Sequence, residues 1–137
     1  NAPRYFMGYY RRRCGWFDAV MLRSCKYAMG VDSMCINHMD TLGEIGNQLG
    51  YINICTAYNY QGEVIDYYPD DIELTGEIPT PIYTTIKGGW TVDSNVRDYK
   101  KLPDKMKEVI DIIEKETGIN VKFIGIGPDN EDLVVRK

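Results

Sequence analysis

No stretch of this 137-residue chain approaches the ~18 consecutive apolar residues that a membrane span requires, and no signal-peptide pattern opens it. Membrane partners are therefore not expected. Histidine is nearly absent, with His38 standing alone. The four cysteines, Cys14, Cys25, Cys35 and Cys55, form no C-x-x-C pair, and one histidine is too few to complete a zinc site. Their neighbours are apolar, so they read as small buried hydrophobes of a reducing compartment, and the chain is expected in the cytoplasm. The phosphate-loop pattern G-x-x-x-x-G-K-[ST] is missing, as are internal repeats, low-complexity tracts and domain linkers.

Hydrophobic residues make up 44% of the chain and charged ones 26%, which excludes wholesale disorder and suits one domain over residues 1–137. Asn1-Ala2 reads as the residue of an expression tag. Charge is uneven. Residues 1–30 hold Arg4, Arg11, Arg12, Arg13, Arg23 and Lys26 against Asp18 alone, so the rest must be strongly acidic for the whole to reach −4. A nucleic-acid binder would be basic over a whole face, so nucleic acid is not an expected partner. A basic head suits a small anion, or is a solvated arginine cluster.

The pattern predicts a helix over 16–29 closed by Gly30, and an apolar strand over 33–39 ending at Asp40. Thr41 to Gly50 is polar and glycine-bearing, and reads as a loop with a helical turn. Segments 51–60 and 63–68 flank Gln61-Gly62 as a hairpin. Prolines 69, 79 and 81 mark a surface excursion, with a short strand over 81–86 and a turn at Gly88-Gly89. Pro103 fits the first position of a second helix whose buried face is Met106, Val109, Ile110 and Ile113, with Gly118 at its end. Strands follow over 119–126 and 133–135. An α/β sheet covered by helices results, without its strand order.

Three segments could carry chemistry. Arg11-Arg-Arg-Cys-Gly-Trp16 runs arginines into a helix start, where backbone N–H groups and guanidinium forks favour phosphate or carboxylate. Asn37-His-Met-Asp40 resembles the Asn-Lys-x-Asp signature of GTP-binding proteins, with His38 in the lysine's place. A carboxylate at Asp40 could accept from the N1–H and 2-amino group of guanine, a donor pair that adenine lacks. Gly125-Ile-Gly-Pro-Asp129 is a glycine turn at a strand end. It falls short of the dinucleotide fingerprint because Asn130 occupies the third glycine's position.

Four further stretches are Arg12-Arg-Cys-Gly-Trp-Phe-Asp-Ala-Val20, Ile54-Cys-Thr-Ala-Tyr58, Gln61-Gly-Glu-Val-Ile-Asp-Tyr-Tyr-Pro69 and Gly125-Ile-Gly-Pro128. In order and spacing they resemble the C-terminal part of adenylosuccinate synthetase. The resemblance implies a portion of a P-loop NTPase-like α/β sheet with flanking helices and an antiparallel hairpin. It implies a GTP-dependent ligase that joins IMP and L-aspartate, uses Mg²⁺ whose ligands lie outside this chain, and is a homodimer at full length. Carried over position by position, Arg12 matches the arginine that holds the aspartate substrate. His38 and Asp40 match the guanine-reading pair, and Gly125, Gly127 and Pro128 the turn that covers the base. Trp16 and Asp18 match a supporting helix start.

The family's Thr-Thr-Gly-Arg loop is here Phe6-Met-Gly-Tyr-Tyr10, with Tyr10 where an arginine belongs, and the arginine usual after Gly-Pro-Asp is Asn130. The phosphate loop, catalytic aspartate and catalytic histidine of the family lie in its N-terminal part. The chain is thus expected to be a fragment, inactive alone. The alternative is a non-catalytic paralogue acting as a binding or interaction module.

Overall fold

The structure, a computed structural model, describes residues 14–136. In the larger sheet β3 (Tyr51–Tyr60) is central. The antiparallel β5 (Thr80–Lys87) lies along one side of it. The parallel β1 (Phe17–Asp18) and the antiparallel β4 (Glu63–Ile65) succeed one another along the other. In the smaller sheet β6 (Asn120–Gly125) lies between the parallel β2 (Ser33–Ile36) and the antiparallel β7 (Leu133–Val135). The helices are α1 (Ala19–Met29), α2 (Met39–Leu49), the single turn α3 (Ile72–Thr75) and α4 (Asp104–Thr117). The mixed α/β class with flanking helices and a hairpin is as expected.

One core joins the two sheets. Ile52, Ile54 and Ile86 of the larger sheet share a buried cluster with Val121 and Ile124 of the smaller one, Met39 of α2, and Met106, Val109, Ile110 and Ile113 of α4. The apolar positions of α4 recur at steps of three and four, so they form one stripe, and all four are essentially inaccessible. Gly118 ends the helix in the left-handed region, as glycine permits at little cost. The hairpin turns at Gln61 and Gly62, both at positive φ, which matches the twist of paired strands.

Two cations of the basic head have structural work. Arg23 Nε donates to the Glu116 carbonyl (2.7 Å) and Lys26 Nζ to the Gly118 carbonyl (2.8 Å). Positive groups from α1 thereby satisfy carbonyls at the negative end of α4. Asp18 caps α1, accepting from Val20 N and Met21 N at 3.0 and 3.1 Å, while its other oxygen accepts from the Tyr58 hydroxyl. Burial, then the hydrogen bond to Asp18, pushes the Tyr58 phenol well above its usual range. Burial, then the charge of Asp18, likewise raises the Cys55 thiol. Among the described residues no helix is long and apolar enough to cross a membrane.

Several expectations are corrected. β2 stops at Ile36, and Asp40 lies not at a strand end but in the first turn of α2. The expected loop at 41–50 is most of that helix. Its glycines lower helix propensity, but Met39, Leu42, Gly43 and Gly46 fall on one face, and packing there overrides propensity. The first helix begins at Ala19, after β1, and Pro103 stands just before α4. Pro69 and Pro79 are buried despite lying in the surface excursion. Of the cysteines only Cys55 is buried; Cys14 and Cys35 are exposed and Cys25 intermediate. Cys35 faces outward because Ile36, its neighbour on the strand, takes the core side.

Candidate functional site

The parallel pairing of β2 with β6 decides where the site forms. Ile36 registers with Ile124, so the chain leaving each strand emerges at the same edge. Ligands in open α/β sheets collect beyond such strand ends. Asn37 and His38 leave β2 there, and Gly125 to Pro128 leave β6. Asn37, His38, Gly125, Gly127 and Pro128 line a common recess of about 240 Å³, with Asp132 on its wall. That is below the ~300–1,000 Å³ of pockets enclosing a drug-sized ligand, and suits a flat ring more than a whole nucleotide. Larger depressions, of about 600 Å³ along α4 and about 720 Å³ around Arg97 and Lys100, meet near Tyr99 and Arg136. There Arg136 is already paired with Glu114, and Lys107 with Asp104.

His38 precedes α2 with φ 61° and ψ 32°, a left-handed conformation that costs a non-glycine residue about 1–2 kcal/mol. It offers no side-chain cap to the helix, and its exposed imidazole stands on the rim of the recess. Strain of this kind persists where the surroundings enforce it. The enforcing contacts come from the segment after β5. Trp90 Nε1 donates to the Met39 carbonyl at 2.7 Å in the core, and Asn47 Nδ2 donates to the Trp90 carbonyl at 3.1 Å. A Cβ on Gly46 would stand 2.5 Å from the Gly88 carbonyl oxygen, and one on Gly43 2.5 Å from Trp90 Nε1. Helix and loop approach to backbone contact, which fixes the turn that carries His38 and Asp40.

Asp40 is not on the wall of the recess. Its Oδ1 is buried and has no hydrogen-bond partner among the described residues. A buried acceptor left unpaired costs about 1–3 kcal/mol, so this oxygen lacks a donor, and a ligand in the recess reaches it only if the side chain turns outward.

The opposite wall is held by polar side chains rather than by unusual backbone. Neither Gly125 nor Gly127 has positive φ. A Cβ on Gly125 would stand 2.9 Å from Asn37 Oδ1, and one on Gly127 2.7 Å from the carboxyl carbon of Asp132. The glycines make room for those two side chains. Asp132 Oδ2 accepts from Asp129 N (3.2 Å), and its Oδ1 pairs with Arg97 at 3.4 Å.

Of the expected site residues, His38, Gly125, Gly127 and Pro128 meet at one recess, Asp40 lies in the adjoining helical turn, and Arg12 falls outside the described residues, as does Tyr10. Sequence reasoning missed Trp90 and Asp132, and gave Asn37 no role beyond opening its segment. The spacing Met39, Leu42, Gly43, Gly46 is the one signal that could have exposed the first, since it is a helical face with room for a large neighbour.

The adenylosuccinate synthetase family model matches residues 8–134. The adenylosuccinate synthetase of Caldicellulosiruptor bescii is 35% identical over 127 residues, covering 91% of this chain and 28% of that protein. That of Desulfatibacillum aliphaticivorans is 34% identical over 128 residues, 93% of this chain and again 28% of the relative. The solved structure of fully ligated adenylosuccinate synthetase from Plasmodium falciparum superposes with a TM-score of 0.79 at 30% identity, over 94% of this chain and 30% of that one. The chain thus spans less than a third of the length of the relatives it matches. It belongs to the adenylosuccinate synthetase family.

Proposed function

We propose that this chain is the C-terminal, guanine-recognising part of a cytoplasmic, homodimeric ligase that couples GTP to the joining of IMP and L-aspartate, giving adenylosuccinate for purine synthesis. The observation that carries the reading is the convergence of His38 with Gly127 and Pro128 on one recess at the shared edge of β2 and β6. A purine ring lies there between the imidazole and the glycine–proline turn. The Asp40 carboxylate, with an unpartnered oxygen, accepts from the N1–H and 2-amino group. Adenine presents an acceptor at N1 and would strand that oxygen.

The chemistry follows the family. GTP transfers its γ-phosphoryl to the 6-oxygen of IMP, leaving GDP, and the amine of L-aspartate displaces the resulting phosphate. A poor leaving group becomes a good one. Arg12 holds the aspartate carboxylate in this scheme. Magnesium, when bound, neutralises charge on the transferring phosphoryl. Among the described residues no group of three or more His, Cys, Asp or Glu is placed to hold a metal ion, so no ligand for it is assigned here. This part supplies recognition, and phosphoryl transfer depends on positioning and charge neutralisation from elsewhere. The 137-residue chain alone is therefore expected to form no adenylosuccinate from IMP, GTP, Mg²⁺ and L-aspartate. Product above a no-protein control would refute that.

The recognition itself is tested by titrating the intact protein with GTP, ATP and xanthosine triphosphate before and after Asp40→Asn. Losing the charge-assisted bond should weaken GTP by about 2–3 kcal/mol, roughly 30- to 150-fold, while xanthosine triphosphate, whose C2 carbonyl accepts from an amide, gains. An unchanged order of affinities would make Asp40 an ordinary helix residue. The altered positions Tyr10, His38 and Asn130 favour the second reading, a non-catalytic paralogue; an intact protein that binds none of the three nucleotides would support it.

A further inference from the structure

We infer that Asp132, braced by Arg97, is the positioning residue that shapes the turn covering the nucleotide base. The inference rests on the guanine-recognition reading above. Asp132 closes the turn at every level. Its carbonyl accepts from Ile126 N at 2.9 Å, its own N–H donates to the Asp129 carbonyl at 3.0 Å, and its Oδ2 accepts from Asp129 N at 3.2 Å. Its side chain is only 12% exposed and sits in the space that a Cβ on Gly127 would need. The carboxylate therefore sets how far Gly127 and Pro128 stand from Asn37 and His38 across the recess. Change its size and the slot changes width.

An acid on the wall of a site for a polyanion carries a cost, and Arg97 offsets it. The guanidinium pairs with Asp132 Oδ1 at 3.4 Å while donating to the Val96 carbonyl at 2.8 Å and to the Ser94 carbonyl. Val96 packs on the main core, so the brace ties the turn to a fixed point. Arg97 thus cancels the charge of Asp132 and anchors it. Asp132 touches the turn and not the reacting atoms. It acts on affinity for the base, leaving the chemical step alone.

The test uses the intact protein, with GDP titration and steady-state kinetics on wild type, Asp132→Ala, Asp132→Asn and Arg97→Ala. The alanine variant should bind GDP about tenfold more weakly and raise the KM for GTP equally, with kcat and the KM for IMP kept within about twofold. Asp132→Asn, which retains an acceptor for Asp129 N–H, should recover most of that loss. Arg97→Ala, at an exposed position, should fall between. Wild type that binds GDP, with an alanine variant equal to it or with all KM values rising together, overturns the positioning role alone. Wild type that binds neither GDP nor GTP overturns the recognition reading and this inference with it.

Discussion

Two groups of glycines in this molecule have no room for a side chain, and what fills the space differs. Gly43 and Gly46 of α2 meet the indole of Trp90 and the Gly88 carbonyl, inside the core. Gly125 and Gly127 meet the polar side chains of Asn37 and Asp132, at the edge of a solvent-facing recess. Neither group is explained by positive φ. The first arrangement joins a helix to a loop with backbone and a rigid ring, which cannot yield. The second sets a turn at the surface against polar residues that also face the candidate ligand. The same residue type closes a core in one place and shapes a surface wall in the other.

Trp90→Ala should show the largest effect. It removes a buried aromatic ring and the donor to the Met39 carbonyl, so a loss of about 3–5 kcal/mol is expected from denaturant unfolding. A loss under 1 kcal/mol would mean that α2 holds without the clamp. Gly46→Ala comes next. Alanine favours helix over glycine by roughly 1 kcal/mol, yet the new Cβ meets backbone 2.5 Å away, and overpacking should leave a net loss of about 1–3 kcal/mol. A gain in stability would contradict the backbone contact. Gly127→Ala should be the mildest for stability, about 1 kcal/mol, because the turn lies at the solvent-facing edge and can give as a unit without opening the core. Its signature is elsewhere: weaker guanine-nucleotide binding by the intact protein at nearly unchanged stability. Equal stability losses at Gly46 and Gly127 would erase the distinction between the two regions.

That distinction also marks what the sequence could disclose. The buried face of α4, the Gln61-Gly62 turn and β7 were legible because periodicity and turn chemistry are local. The helix at 39–49 was not, since glycine at 43, 46 and 50 argues for a loop until Trp90, far along the chain, supplies the surface that needs them. Asp40 was placed at a strand end for the same reason. At the candidate site, the family resemblance pointed to His38, Gly127 and Pro128, which line one recess, while Asp132 stayed hidden. Its proposed role rests on the space beside Gly127 and on Arg97, and neither is written in local spacing. Arg23 and Lys26 looked like parts of an anion-binding head until α4 brought its carbonyls to them.

On the proposed reading, one purine lies between His38 and the Gly127–Pro128 turn with Asp40 reading its edge. A crystal structure of the intact protein with a guanine nucleotide measures this directly. The base is expected in the recess at the ends of β2 and β6, with the Asp40 carboxylate turned toward it and within about 3 Å of both N1 and the 2-amino nitrogen. A base bound elsewhere, or one in the recess with Asp40 turned away from it, would contradict the account.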